Sequence, residues 1–107
     1  MQKITIYVPS QTRSGIEFDA SQSVEDTLVF LASLFGGATI QNATGGWLDS
    51  AGNTIIESVT LVYSYIAGLT YDQRESVLDF CARLRDDLDQ SAVAVEILDI
   101  AGEFALI

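Results

Sequence analysis

The side chains able to do chemistry in this sequence are almost all carboxylates. The 107 residues include fifteen Asp and Glu, no histidine and one cysteine, Cys81. Without histidine, Ser-His-Asp and Cys-His arrangements are excluded, and one cysteine cannot supply the ligands of a zinc site. The standard glycine-rich phosphate-binding motifs are absent as well. We therefore predict no catalytic residue, no metal site and no cofactor.

The candidate binding residues are Trp47, Asp49 and Glu57. The two acids flank a predicted hairpin turn, where their carboxylates could approach each other, share a proton or bind Mg²⁺ or Ca²⁺ through oxygen. In the alternative, Asp49 forms an Asx-turn and Glu57 faces solvent or pairs with an arginine. Convergence of the two carboxylates into a pocket would favour a ligand site, whereas carboxylates pointing apart into water would favour an interaction protein.

One predicted strand presents aliphatic and aromatic side chains at alternate positions, namely Val59, Leu61, Tyr63 and Tyr65. Aromatic residues on an open sheet face stack on bases in some RNA-binding proteins, but the accompanying basic residues are missing here. Core packing or a subunit interface explains the pattern better. We therefore predict that this strand face is a candidate homodimer interface.

The charge balance restricts the partners. Fifteen acids against five bases give a net charge of −10. Such a surface repels phosphates, so direct binding to nucleic acid is not expected, whereas a basic protein partner would suit it. The simpler alternative is that the acids only solvate the surface. With no pair of cysteines and no apolar run long enough to span a membrane, the default prediction is a cytoplasmic protein without membrane association.

Hydrophobic periodicity predicts a regular series of elements within a single domain, residues 1–107. Ile4, Ile6 and Val8 alternate as in a half-buried strand. The predicted elements are a first strand that ends near residue 9, a helix that begins at Ser21 or Ser23 and stops at Gly36–Gly37, strands over 38–48 and 54–66, a helix over 70–88, a strand over 92–97 and an extra terminal strand over 103–107.

Local signals mark the ends of these elements. Ser21 or Ser23 is predicted to cap the first helix, and the Gly36–Gly37 pair to end it. Thr70 with Gln73 forms a capping box for the second helix. Glycines 45 and 46 suggest a bulge in the strand over 38–48. The order strand, helix, strand, strand, helix, strand is the pattern of a ferredoxin-like βαββαβ α+β fold, with an antiparallel sheet and both helices on one face.

The segment FGGATIQNATGGWLDSAGNTIIESVTLVYSY resembles a family of small uncharacterised bacterial and phage proteins. Their shared pattern is F-G-G-x-T, then G-x-W, a turn with Gly, then a Glu before an apolar strand. It covers about half of this chain, on Phe35, Gly36, Gly37, Thr39, Gly45 (or Gly46), Trp47, Gly52 and Glu57. The resemblance implies a ferredoxin-like domain without an established activity, so it assigns no catalytic residue.

Two functions are compatible with these features. The first is a small acidic, non-enzymatic interaction protein, encoded by a phage or mobile element, that binds a basic surface of a host protein. The second is a small-molecule or metal binder, or a carboxylate-dependent enzyme, with its site near the hairpin that contains Trp47 and Glu57. The direction of the Asp49 and Glu57 side chains distinguishes them.

Overall fold

Within the residues that the structure describes, the chain forms four strands and two helices in the predicted order. A computed structural model describes residues 1–103 and 105. Its elements are β1 (Gln2–Pro9), α1 (Ser21–Phe35), β2 (Thr39–Leu48), β3 (Thr54–Ile66), α2 (Tyr71–Asp87) and β4 (Val95–Asp99). Neither helix within this part of the chain is long and apolar enough to cross a membrane.

The four strands form one antiparallel sheet in the order β2-β3-β1-β4. The central pair aligns Ile4 with Ser64 and Ile6 with Val62, and β4 adds to the other side of β1. This topology confirms the ferredoxin-like α+β fold. It leaves β2 and β4 as the two outer strands and makes the β2–β3 hairpin the longest paired segment.

Both helices pack on the same face of the sheet, as predicted. Alternation along β1 sends Ile4, Ile6 and Val8 to this face, where each is at most 1% exposed. The core that they form also contains residues from β3 and from both helices. These are Leu31, Val62, Val77, Cys81 and Leu84. Within residues 1–103 and 105, no helix lies over the opposite face of the sheet, which is called the open face below.

The start of α1 differs from its prediction. The residue at the N-cap position is Ala20, which makes no side-chain cap, and Ser21 is already the first helical residue. Asp19 takes the capping role instead, because its Oδ1 accepts hydrogen bonds from the amide and hydroxyl of Ser21 at 2.9 and 2.5 Å. These bonds lower the pKa of the Asp19 carboxyl. The other end is as predicted, with Gly36 in the left-handed region at φ 92°.

The predicted capping box of α2 is present. The Thr70 hydroxyl accepts from the Gln73 amide at 3.2 Å, and the Gln73 side chain accepts from the Thr70 amide at 3.0 Å. Because both bonds satisfy amides that lack partners within the helix, they fix where α2 begins.

Two other boundary predictions are wrong, and a third falls partly on residues that the structure does not describe. There is no bulge at glycines 45 and 46, which pair in regular register with Glu57 and Ile56. The last strand spans Val95–Asp99 rather than residues 92–97, because its paired register with β1 begins at Val95; before it, the Ala94 oxygen accepts from the Tyr7 amide at 3.0 Å. Of the predicted terminal strand, residues 103 and 105 are not in a strand, and the remaining positions, 104, 106 and 107, lie outside the described residues.

Cys81 is a buried thiol on α2. It is 6% exposed within the core, and burial raises its pKa to about 11. Since the thiolate is the reactive form, we expect iodoacetamide at neutral pH to leave Cys81 unmodified in the folded protein and to modify it rapidly in denaturant. Mass spectrometry after timed labelling measures this. The native rate should rise as the pH approaches the raised pKa, and fast native labelling at neutral pH would contradict the burial.

Candidate functional site

A surface cleft lies where the β2–β3 hairpin meets the loop of residues 10–19, called the 10–19 loop below. Its volume is about 560 Å³, within the range that small-molecule sites occupy. The hairpin supplies one wall, the 10–19 loop a second, and the chain after α2 a third. The lining residues are Gln11, Thr12, Arg13, Ser14, Gly15, Trp47, Ile55, Glu57, Gln90, Ser91 and Ala92.

Glu57 is the only acidic residue that lines this cleft among the described residues. Its Oε1 accepts hydrogen bonds from the backbone amides of Ser10 and Gln11 at 3.3 and 3.1 Å. The side chain is half-buried and forms no ion pair within residues 1–103 and 105. The carboxylate is therefore held in one position by neutral donors, while Arg13, which lines the same cleft, pairs with Asp89 instead.

The 10–19 loop is attached to the body of the protein from a second side. The Gln90 side-chain amide donates to the backbone oxygens of Gln11 and Leu88 at 2.6 and 2.9 Å. Arg13 pairs with Asp89 at 2.7 Å, and its backbone amide donates to the Asp89 oxygen at 2.9 Å. These contacts fix the loop against the end of α2, so the wall opposite the hairpin is built before any ligand arrives.

Trp47 stands at the rim of the cleft with 49% of its surface exposed. It lies directly opposite Ile55 in the hairpin, while Gly45 lies opposite Glu57. Opposite residues of an antiparallel pair point to the same face, so Trp47, Ile55 and Glu57 share one side of the hairpin. Because Gly45 has no side chain, the space beside the Glu57 carboxylate stays open between it and the indole ring.

Asp49 does not join this site. Its Oδ1 accepts from the amides of Ala51 and Asn53 at 2.9 and 2.8 Å, which makes it the organiser of the hairpin turn. The structure therefore brings Trp47 and Glu57 together and keeps Asp49 in the turn, as the Asx-turn alternative describes. Within residues 1–103 and 105 no three Asp, Glu or Cys side chains are grouped to hold a metal ion.

The predicted interface residues lie together on the open face. Val59, Leu61 and Tyr63 are half-buried and Tyr65 is 38% exposed. The Tyr63 and Tyr65 rings meet edge to face at 5.8 Å between centroids, and the Lys3 ammonium sits 4.2 Å from the Tyr63 ring centre. The open face is thus an aromatic and aliphatic surface that also carries the Lys3 ammonium group.

The 10–19 loop and Gln90 were not predicted as parts of the site. Glu57 and Gln11 are 46 positions apart, and Gln90 and Gln11 are 79 apart. Only the pairing of β1 with β3 brings the loop to Glu57. The polar composition of residues 10–19 indicated a loop, and no motif in it pointed to a binding role.

The fold and this cleft define a ferredoxin-like α+β protein with a small-molecule-sized cavity at one end of its sheet. No protein-family model matches the chain, and no curated protein matches it by sequence. Among solved structures, a phage SAM lyase in complex with S-methyl-5'-thioadenosine is similar at a TM-score of 0.67 and 19% identity, over 92% of this chain and 80% of that one. The apo form of a phage SAM lyase gives 0.66 and 22%, over 91% and 78%.

CutA from Pyrococcus horikoshii is similar at a lower level. Its TM-score is 0.56 and its identity 12%, over 97% of this chain and 88% of that one. At these identities the comparisons establish the shared fold. The activity must therefore be argued from the residues of the cleft.

Proposed function

We propose that this chain binds S-adenosylmethionine in the cleft between Trp47 and Glu57, and that it cleaves the ligand to release S-methyl-5'-thioadenosine. The observation on which this rests is the Glu57 carboxylate, fixed by the Ser10 and Gln11 amides beside an exposed indole in a cleft of about 560 Å³. The fold shared with the two phage SAM lyase structures supports the same choice of ligand.

The cleft offers a group for each part of this ligand. The indole of Trp47 provides a π-face for adenine or for a cation. The Glu57 carboxylate attracts the positively charged sulfonium end of the molecule, or accepts from its hydroxyl and ammonium groups. The loop opposite supplies Thr12 and Ser14, whose hydroxyls hydrogen-bond to each other at 3.1 Å and leave one hydroxyl hydrogen for the polar remainder. The net charge of −10 raises the local concentration of a cationic ligand.

The proposed reaction breaks the bond between the sulfonium sulfur and the γ-carbon of the methionyl chain. The bonding electron pair goes to sulfur, which leaves as the neutral thioether of S-methyl-5'-thioadenosine. The atoms balance when the ligand's own carboxylate oxygen forms the new bond to the γ-carbon and closes a lactone. This route needs no histidine, cysteine or metal, in keeping with the side chains present, and it assigns Glu57 the binding of the cationic substrate.

Incubation of the purified chain with S-adenosylmethionine tests the proposal. Chromatography should show S-methyl-5'-thioadenosine formed in proportion to protein concentration, and mass spectrometry should show the lactone. Titration calorimetry with S-methyl-5'-thioadenosine measures binding separately from cleavage. Binding without turnover would retain the site and remove the reaction. Absence of both binding and product at millimolar ligand would overturn the proposal.

The charge distribution favours a second candidate function, an acidic protein of a phage or mobile element that occupies a basic surface of a host protein. Three of the five basic residues, Arg13, Arg74 and Arg85, already pair with acids of this chain. The remaining acidic excess is therefore available to a partner. A basic DNA-binding protein tests this idea: binding should fall steeply as salt is raised and should compete with duplex DNA. Binding that ignores both salt and DNA would exclude the mechanism.

The open face is proposed as a surface for self-association. Four of its side chains lie side by side with no helix of the described part of the chain above them, namely the half-buried Val59, Leu61 and Tyr63 and the exposed Tyr65. A homodimer through this face would bury them against their own copies. Leu61→Lys should then abolish association through this face and lower the mass measured by light scattering during gel filtration, whereas an unchanged mass would rule out this face.

A further inference from the structure

The outer edge of β2 lacks the features that usually protect an edge strand. Its ten residues, Thr39–Leu48, contain no charged residue and no proline, and none of them is buried. The two glycines within it do not form a bulge, because their register with β3 is regular. Exposed edges in monomeric proteins usually have lysines, prolines or bulges that prevent pairing with another chain. This edge is therefore free to accept a further strand.

The backbone groups of alternate β2 residues point in opposite directions, either towards β3 or towards the outer edge. The Asp49 amide donates to the Asn53 oxygen at 2.9 Å across the hairpin, just beyond the pair Leu48–Thr54. Bonding to one neighbour alternates along an antiparallel strand, so the odd-numbered residues bond to β3. The even-numbered residues, Ile40 to Leu48, then direct their N–H and C=O groups to the outer edge.

The strand is self-complementary about Thr44. If a second copy pairs antiparallel with Thr44 opposite Thr44, then Ile40 lies opposite Leu48 of that copy. The even-numbered residues, whose N–H and C=O groups face the edge, then lie opposite one another and form the hydrogen-bonded pairs. Ile40 is 42% exposed and Leu48 is 68% exposed. Both lie on the helix side of the sheet, because Ile40 pairs with the core residue Val62. The pairing would cover each isoleucine with a leucine, twice in one symmetric contact.

Ile40 and Leu48 form an apolar strip on the helix side of the sheet, and a neighbouring residue extends it. Ile56 pairs with Gly46 on the same side of the hairpin and is 64% exposed. Ile40, Leu48 and Ile56 lie on the part of the sheet that the helices leave uncovered. The strip and the strand edge are also uncharged in a chain with a net charge of −10, so they offer a surface where two copies meet without bringing acids together.

We infer that two copies of this chain pair antiparallel through the outer edges of β2, centred on Thr44, to form one continuous eight-stranded sheet. The same register places Gln41 of the second copy opposite Trp47, on the side of the sheet that bears the cleft. Each copy would therefore add a polar side chain to the rim of the other's cleft. This inference does not depend on the identity of the ligand.

A cysteine at the centre of the register tests the geometry. Hydrogen-bonded residues in an antiparallel pair have Cα atoms about 5.5 Å apart, within the span of a disulfide. Thr44→Cys is expected to form a covalent dimer under mild oxidation, while the native Cys81 stays buried. Ser58→Cys is the matched control, because Ser58 is the β3 neighbour of Thr44 and is exposed, yet lies one strand further from the edge. It should remain monomeric on a denaturing gel.

Sedimentation analysis tests the association without a cross-link. Leu48→Lys should raise the dimer dissociation constant by about tenfold or more, since it replaces an apolar pair by a charge on both edges. Leu61→Lys, on the open face, should leave the edge dimer intact. Raising salt should strengthen the dimer of two acidic chains. A monomer at all accessible concentrations, or a dimer with neither cross-linking at residue 44 nor sensitivity to Leu48→Lys, would overturn the inference.

Discussion

Glu57→Gln is expected to weaken binding of S-adenosylmethionine about 10–100-fold, the equivalent of the 1.5–3 kcal/mol that a hydrogen bond to a charged group contributes. The substitution keeps an amide oxygen where Oε1 now accepts from the Ser10 and Gln11 amides. The 10–19 loop should therefore remain attached while the negative charge is lost. The expected signature is unchanged thermal stability together with weaker binding and slower release of S-methyl-5'-thioadenosine.

Two further variants separate charge from position. Glu57→Ala removes both the charge and the acceptor, so it should lower the melting temperature as well as the affinity. Glu25→Gln removes an acid from the exposed surface of α1 and should change neither. Titration calorimetry and thermal denaturation report the two effects independently. Native affinity in Glu57→Gln would show that this carboxylate serves the loop alone, and the ligand site would then have to be placed elsewhere.

The elements with strong periodicity or a defined cap could be predicted from the sequence. The bounds of β3 were predicted as Thr54–Ile66, and the start of α2 followed from Thr70 and Gln73. In these segments the local pattern and the tertiary environment agree, which is the condition for reading structure from sequence. The β-branched run of β3 fits its central place in the sheet, where it pairs on both sides.

The wrong predictions concern features that depend on the spatial neighbours of a residue. Asp19 rather than a serine caps α1, because Ser21 is itself the first helical residue and its amide and hydroxyl both donate to the Asp19 carboxylate. The two glycines were interpreted as a bulge, yet an added Cβ at Gly45 or Gly46 would come no closer than 3.9 and 3.6 Å to β3 oxygens. The backbone there needs no special conformation, and the value of Gly45 lies in the space it leaves beside Glu57.

Only the hairpin side of the candidate site could be predicted from the sequence, because the other wall depends on residues that are distant along the chain. Trp47 and Glu57 belong to one hairpin, so strand alternation with a five-residue turn is enough to place them near each other. The alternation does not say where Asp49 turns its carboxylate, since its nearest donors are the amides of its own turn. The opposite wall comes from the 10–19 loop and from Gln90, which reach the hairpin only after the sheet and α2 have formed.

Leu31→Ala is expected to be the most destabilising of the variants considered, because it removes a large side chain from the centre of the core. Leu31 is fully buried on α1 and belongs to the cluster that joins this helix to β1, β3 and α2. Truncation of a buried leucine to alanine costs about 2–5 kcal/mol, since the surroundings close the cavity only in part. For a domain of this size the melting temperature should fall by about 10 °C or more.

Val29→Ala is the matched control on the same helix. Val29 is 57% exposed, and alanine is the better helix former, so this change should stay within about 0.5 kcal/mol of the native stability. Urea denaturation followed by circular dichroism measures both variants under one condition. Equal losses from the two positions would mean that α1 does not present Leu31 to the sheet. Because α1 packs over β3, the strand that holds Glu57, that result would also remove the support on which the geometry of the cleft depends.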